Sequence, residues 1–534
     1  MKLRIGIFGV VLCLLTGACL WRVAVIQRQP ELKEAAAAQA TATVTLGTAR
    51  GTIYDCHQIP LVNRSFSYVA AVSPTDRAKE AIGAAFPKPE AAEILERLKN
   101  GKPIAVKSES PLPLCDGVTL KTLPIRYAGD TLAPHVLGYC NENGGVCGIE
   151  YAFDDLLSSY TGSVEVTYAV DAAGNPVAGV APTVTDTTER CKGGVVLTID
   201  SEVQQIAEHA ATQMTCGAVV VMEPTGEIRA LASVPTYQPN DVAAVLEAKN
   251  APLLNRAFSD YNCGSVFKIV TASAALEAGV SPKTEFTCNG GYGLGDTLFR
   301  CHYILGHGTL DMKEAFAKSC NPYYIQLALS IGAEPVYDMA VAFGLDRAWT
   351  PAPGLSTARA TLPSLKTLET STASLCNLAF GQGELLATPV HIAQLAAAIV
   401  NGGVIYRPTL VAGTVDETGN ITNAEPSPAQ TVFSKATADT LYPMMVYTMV
   451  EGTGAKGQPY YAPAAAKTGT AETGWIENGE EVVQHWFTGF FPAEKPQYVI
   501  TVLCENSEAT GESAAPVFRE ICDELYLLSL QKGG

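Results

Sequence analysis

Positive charge is scarce in this sequence: 36 lysines and arginines stand against 53 aspartates and glutamates, for a formal net charge of −17 at pH 7. With no basic face to neutralise phosphates, nucleic acid is not expected as a partner. Charged residues of all kinds reach only 17% while apolar ones reach 47%, a balance that excludes a disordered chain. Internal repeats and long low-complexity tracts are also missing, which sets aside repeat architectures. One glycine-rich stretch, 289–296, lacks the order of glycines that cradles a dinucleotide, so a phosphate-binding loop is not expected there. What remains is 534 residues of ordinary globular composition, enough for roughly two to four domains.

Charge is absent again near the N-terminus, where 17 residues from Ile5 to Trp21 are strongly apolar. Lys2 and Arg4 precede them, and Arg22 follows before a further apolar stretch, Val23 to Ile26. The run is at the short limit for a spanning helix, and Arg22 can snorkel to lengthen it. Basic residues ahead of the run place the short tail in the cytoplasm and the remaining chain outside. A cleaved signal peptide is the rival reading, and Thr16-Gly17-Ala18-Cys19 hints at lipidation of Cys19. Cys19 lacks the usual leucine three residues before it, which favours an uncleaved signal anchor. The alanine-rich tract 35–40 reads as a stalk or helix.

Cysteine is plentiful, at 15 residues. Cys13 and Cys19 fall in the apolar segment, and the 13 others are an odd number that cannot all pair within one chain. Cys288 and Cys301, flanking the glycine-rich stretch, are the best disulfide candidates. With His302 and His307 nearby they are also candidate zinc ligands, but their spacing fits no standard pattern and no metal is expected. So many unpaired thiols suggest a reducing habitat or buried cysteines acting as small hydrophobes.

Three short motifs carry the chemistry: Ser265-Val266-Phe267-Lys268, Ser319-Cys320-Asn321 and Lys467-Thr468-Gly469. A Ser-x-x-Lys alone is weak, and a second occurs at 529–532 with nothing downstream to complete a site. Order and spacing make the set strong, with 54 residues between the first two serines and 148 from Ser319 to Lys467. Asn262-Cys263-Gly264 reads as a turn, and 266–278 as a helix ending at Gly279. At a helix N-terminus, a lysine three positions after a serine lies about 5–6 Å away on the same face, where it can take the hydroxyl proton. It must be neutral to do so, through burial or a neighbouring cation such as Lys467. The plainer reading of Ser265 and Lys268 is an N-cap and an exposed lysine.

Thr309 and Asp311 are N-cap candidates for a helix over 312–318, and Pro322 suits the first turn of another over 323–330. Ser319 and Asn321 thus fall on a short connection, able to relay a proton and hold a substrate amide. Ordinary capping is the competing explanation. The small residues of 464–471, with Gly469 among them, read as an edge strand that an extended peptide can approach closely. Lys467 can hold a carboxylate, Thr468 and Thr470 add hydroxyl donors, and a backbone N–H near Thr470 can complete an oxyanion hole. A lysine at a sheet edge is otherwise a guard against aggregation. Cys263 and Cys320 lie beside these motifs, but no histidine and amide context supports a thiol nucleophile over Ser265.

These motifs, and much of the chain around them, resemble the class B penicillin-binding proteins, D,D-transpeptidases of peptidoglycan synthesis. Residues 217–223 and 226–233 resemble the opening hairpin of that family's catalytic domain. Asn255-Arg256-Ala257, Gly381-Gln382-Gly383 with the helix capped at Thr388-Pro389, and 485–490 look like further family segments. Arg50-Gly51-Thr52-Ile53-Tyr54-Asp55 is similar to the start of the non-catalytic pedestal, although Cys56 replaces the usual arginine. Residues 134–139 and 148–151 match later landmarks of that module. Cys320 occupies the centre of the middle motif, where related serine enzymes carry aspartate. A central cysteine is familiar among class B relatives.

The resemblance implies an α+β fold of the serine β-lactamase-like kind, an antiparallel sheet with helices on both faces. Strands are expected over 217–223, 226–233, 464–471, 485–491 and 498–505, closed by a helix over 515–528. It implies an anchor and short tail over 1–27, a stalk and strand-rich pedestal over 28–190, and a transpeptidase domain over 191–534. Ser265 is then the acylated nucleophile, Lys268 its base, Ser319 the proton relay, and Asn321, Lys467, Thr468, Gly469 and Thr470 the substrate contacts. The expected substrates are stem peptides ending in D-Ala-D-Ala, with β-lactams as covalent inhibitors. A membrane-embedded glycan polymerase or other cell-wall synthesis protein is the expected partner, at the plasma membrane with the catalytic domain extracytoplasmic. No cofactor is implied. The alternatives are a D,D-carboxypeptidase, a β-lactam sensor and an inactive envelope scaffold; a β-lactamase fits less well, having no use for an anchor and pedestal.

Overall fold

The computed structural model describes residues 2–30, 40–477, 480–505 and 513–533. The N-terminal apolar run forms one exposed helix, Lys2–Gln27, which carries Arg22 inside it and outruns the expected segment by several residues. Its Leu3–Gln27 portion is 25 residues, or about 37 Å, against a hydrocarbon core of about 30 Å. Length and composition thus suffice to cross a membrane. Most of the alanine tract lies outside the described residues.

The remaining chain packs as two units. The smaller holds residues 63–126 and 159–192 together with the chain up to Gly51. One of its sheets joins Thr41–Ala49, Gly162–Ala169 and Thr183–Asp186, all antiparallel. Along Gly162–Ala169 every second residue is buried, as a sheet with one covered face requires. Val164, Val166 and Tyr168 there pack on Leu46, Val69 and Leu123. The second sheet, with Ser65–Val72 between Ile104–Ser108 and Val118–Ile125, turns its other face to the helices Asp76–Ala85 and Lys88–Leu98 through Ala70, Val72, Ile82 and Ile94.

The larger unit does not begin at a single cut near residue 190. Segments 52–62 and 127–158, placed by sequence in the N-terminal module, pack with residues from 193 onward. Thr52–Tyr54 pairs in parallel with Gly194–Leu197, and Ile53, Leu61, Val136 and Ile149 share one core with Val195 and Val220. Asp55 accepts from the backbone N–H groups of His57 and Ile59 at 2.9 and 2.7 Å. His57 lies 3.0 Å from Asp200, the N-cap of the helix Ser201–Ala211. The unusual Cys56-His57 pair is therefore accommodated by a carboxylate-anchored turn.

The centre of this unit is a five-stranded antiparallel sheet of β1 (Gly217–Met222), β2 (Ile228–Val234), β3 (Ala465–Glu477), β4 (Glu480–Phe491) and β5 (Tyr498–Cys504). Their order is β2-β1-β5-β4-β3, which puts β3 at an edge. Every residue of β1 is buried, so its apolar run is continuous and not alternating. Ala218 and Val220 face the core that holds Ile392 of the helix Pro389–Val400, whereas Val219 and Val221 face Val203, Phe518 and Ile521. The last two belong to the closing helix, Ala514–Gly533, longer at its C-terminus than expected. Helices on both faces make the three-layer α+β sandwich.

Candidate active site

Ser265 sits in a 3-10 turn, Gly264–Phe267, that runs directly into the helix Lys268–Glu277. The helix expected from 266 thus opens with a tighter turn. Gly264 has φ +56°, and a Cβ there would meet the Thr470 carbonyl oxygen at 2.4 Å, so the nucleophile's turn is pressed against β3 where only glycine fits. The Gly264 N–H donates to the Gly381 carbonyl at 2.9 Å, which ties in the 381–383 segment. Lys268 through Ala275 are all buried, and this all-round apolar helix holds Lys268 away from water. Its Nζ lies 2.5 Å from Ser265 Oγ, with the serine half-buried.

The second motif is held by reciprocal capping. Asp311 accepts from the Glu314 N–H at 3.0 Å, and Glu314 accepts from the Asp311 N–H at 3.2 Å, starting the helix Met312–Ala317. Of the two N-cap candidates, Asp311 takes the role. Ser319 then adopts φ +52°, an uncommon conformation for a residue with a side chain. This backbone setting puts Ser319 Oγ 2.9 Å from Lys467 Nζ and 3.3 Å from Lys268 Nζ. The helix Asn321–Ile331 follows, with proline in its first turn. Asn321 Oδ1 accepts from Lys268 at 2.8 Å while Nδ2 donates to the Arg300 carbonyl at 3.1 Å.

Lys467, Thr468, Gly469 and Thr470 lie on the edge strand β3, as expected. A Cβ on Gly469 would come within 3.0 Å of Val266 Cγ1 and 3.1 Å of Trp486 Cβ. Its bareness lets the strand lie close to the serine turn. Lys467 is fully enclosed, donating to Ser319 and, at 2.8 Å, to the Thr468 carbonyl. It does not border the cleft, whereas Thr468, Gly469 and Thr470 do. Any influence on a bound carboxylate is therefore exerted through its field. The cleft, about 1000 Å³, is also bordered by Ser265, Ser319 and Asn321.

Burial governs the two lysines. It drives Lys268 down from its ordinary 10.5 to about 7, although thiols at Cys320 and Cys301 pull modestly the other way. Burial likewise drives Lys467 well below its ordinary range, and the charge of Lys268 adds to that depression. Of the two routes open to a neutral Lys268, desolvation is the one that acts on it. Tyr324 and Phe380 contribute rings 5.9 Å from its Nζ, and Phe316 one 5.6 Å from Lys467.

Sequence reasoning passed over several contributors. Thr453, in a loop, places its Oγ1 2.5 Å from Thr468 Oγ1 and orients a cleft hydroxyl. Arg300 closes the hairpin Gly291–Leu294 and Thr297–Arg300 that borders the cleft and steadies Asn321. Gly452-Thr453-Gly454 offered a turn signal, but nothing local linked it to the strand. The candidate Cys288–Cys301 disulfide is not formed; all 15 cysteines are free thiols. Among the described residues, two groups of side chains could hold a metal ion: Cys288, Cys301, His307 and Cys320, and Cys56, His57 and Asp200.

Residues 217–523 match the model of the penicillin binding protein transpeptidase domain. Peptidoglycan D,D-transpeptidase PbpA of Mycolicibacterium smegmatis is 36% identical over 363 residues, covering 61% of this chain and 71% of the relative. The crystal structure of the D,D-transpeptidase domain of a peptidoglycan glycosyltransferase from Eggerthella lenta matches with TM-score 0.65 and 27% identity, over 91% of this chain and 99% of that one. Penicillin-binding protein A from M. tuberculosis, solved as its penicillin G acyl-enzyme, matches with TM-score 0.64 and 25% identity over 90% and 99% of the two chains.

Proposed function

The chain belongs to the penicillin-binding protein transpeptidase family, as a class B member, and from that premise we propose that Ser265, Lys268 and Ser319 carry out its acyl transfer. It is a peptidoglycan D,D-transpeptidase that works through a serine acyl-enzyme and is inhibited covalently by β-lactams. The observation that carries the residue assignment is one unbroken chain of contacts, Ser265 to Lys268 to Ser319 to Lys467, buried at one end and opening on the cleft at the other.

A stem peptide ending in D-Ala-D-Ala lies along β3, adding its backbone to the open edge. The Thr468 and Thr470 hydroxyls receive its terminal carboxylate, with the enclosed Lys467 supplying field and not contact. Ser265 Oγ attacks the penultimate carbonyl as its proton passes to neutral Lys268, 2.5 Å away. Backbone N–H groups of Ser265 and Thr470 hold the oxyanion. Asn321 holds a substrate amide, and Ser319, within reach of both lysines, returns a proton to the departing D-alanine amine. An amine from a neighbouring stem peptide then attacks the ester, loses its proton along the same path, and releases Ser265 with the cross-link made.

The helix Lys2–Gln27 anchors the enzyme in the plasma membrane with the catalytic unit outside the cell. A membrane-embedded glycan polymerase that supplies nascent strands is the natural partner for an anchored cross-linker. Fluorescent penicillin should label the wild-type chain and not Ser265→Ala; covalent labelling of the variant would remove Ser265 from its role. Incubation with a stem peptide and an amine acceptor separates the outcomes, since a carboxypeptidase yields only the hydrolysed peptide.

A further inference from the structure

Acyl transfer employs Ser319 and Asn321 but leaves Cys320, between them, without a task. Its thiol belongs to a group with Cys288, Cys301 and His307 in which one ligand atom from each residue lies within 4.8 Å of all the others. Four short elements deliver them. Cys288 ends the strand Phe286–Cys288 and pairs with Gly308, the residue after His307. Cys301 leaves the Arg300 hairpin strand with its N–H on the Gly290 carbonyl at 2.9 Å, and Cys320 caps the helix Asn321–Ile331 with its N–H on the Ala315 carbonyl at 2.9 Å. The three thiols are no more than 2% exposed and His307 is half-buried.

Thiols that merely fill space do not require an imidazole among them. His307 Nδ1 stands 3.5 Å from Cys301 Sγ. A tetrahedral zinc ion with bonds of about 2.3 Å to sulfur and about 2.0–2.1 Å to nitrogen spans a sulfur-to-nitrogen edge of about 3.5 Å. Three thiolates and one imidazole, with no place left for water, form a structural zinc set. His302, exposed and 4.0 Å from Cys301, lies outside the group.

We propose that Cys288, Cys301, His307 and Cys320 bind one zinc(II)-class cation, which clasps the 319–321 turn in its acylating position and places the enzyme under thiol control. The inference rests on the assignment of Ser319 and Asn321 to the acylation machinery. Cys301 and Cys320 each adjoin a member of the hydrogen-bonded pair formed by Arg300 and Asn321, so a cation joining the two cysteines locks that pair. Asn321 and Ser319 in turn hold the amine of Lys268. Thiol control follows from the ligand chemistry. A peroxide takes one electron from each of two thiolates, an S–S bond forms, the O–O bond breaks and its oxygens leave as water with two protons from solvent. The cation, having lost two ligands, is released. The expectation of no metal in this chain is thereby revised.

The full chain, purified in detergent after growth with added zinc, should carry about one zinc per chain by elemental mass spectrometry. Cobalt(II) in its place should show a thiolate-to-cobalt charge-transfer band. His307→Ala and Cys301→Ser should lose the metal and acylate fluorescent penicillin about a hundredfold more slowly, the cost of misplacing a catalytic group by about an ångström. Cys115→Ser, in the smaller unit, should keep both properties. Hydrogen peroxide should release zinc and slow acylation together, with reductant and zinc restoring both. Zinc no higher in the wild type than in His307→Ala and Cys301→Ser would overturn the site, and unchanged acylation after zinc release would overturn the clasp. Ser265→Ala, which tests the acylation assignment separately, should lose labelling while keeping its zinc.

Discussion

Replacing Lys268 by methionine should abolish acylation without weakening the fold, a combination that separates a chemical role from a structural one. Both lysine amines lie within hydrogen-bonding reach of Ser319 Oγ, at 3.3 and 2.9 Å, so they are no more than about 6 Å apart. At an effective dielectric of about 20, two charges at that distance repel by about 3 kcal/mol, which disfavours charging both. The unfolded chain keeps Lys268 protonated up to 10.5, whereas the folded chain gives up that proton near 7. Between those values the unfolded state binds the additional proton, so raising the pH stabilises the fold; below about 7 the cost of burial is complete, on the order of 5 kcal/mol. Methionine removes that cost but leaves Asn321 Oδ1 short of a donor, at about 1–3 kcal/mol if it stays dry, whereas Ser319 Oγ keeps the Lys467 amine at 2.9 Å. Thermal melts at pH 6 should therefore show the variant at least as stable as the wild type. In the wild type, the second-order rate of penicillin acylation should rise about tenfold per pH unit up to about 7 and then level, following the neutral fraction of Lys268. A rate that stays flat down to pH 5.5, or a Lys268→Met chain that acylates within tenfold of wild type, would refute the assignment of Lys268 as base.

Gly469→Val should slow acylation and also lower the melting temperature, because its side chain meets Val266 and Trp486, both buried in the core beside the serine turn, at a cost of about 1–3 kcal/mol. Rate and melt on one preparation check it. Thr468→Val removes the hydroxyl that Thr453 orients; if Thr468 binds the substrate carboxylate, KM for a stem peptide should rise about tenfold with kcat little changed. A chain beginning at residue 40 should leave the membrane fraction yet acylate penicillin at the full-length rate, as fractionation and labelling would report.

Legibility followed the range of the interactions. Ser265 and Lys268 share one turn, so helical periodicity alone brought them together. The capping box at Asp311 and Glu314 and the proline of the next helix bracketed the 319–321 connection from local signals. The residues missed are those whose meaning comes from elsewhere in the chain. Thr453 meets Thr468 only because the loop before β3 folds back on it, and Arg300 meets Asn321 only once the hairpin docks. Segments 52–62 and 127–158 read as parts of an N-terminal module because they precede it in order, yet their apolar residues complete the larger unit's core.

By itself the sequence determined the reaction class, the strands of the central sheet and the apolar helix at the N-terminus, since each rests on residue types at short fixed spacings. Only the tertiary structure decided the ionisation of Lys268, the enclosure of Lys467 and the meeting of Cys320 with Cys288, Cys301 and His307. Those properties depend on which distant atoms exclude water from a side chain, and exclusion of water is a feature of packing in three dimensions.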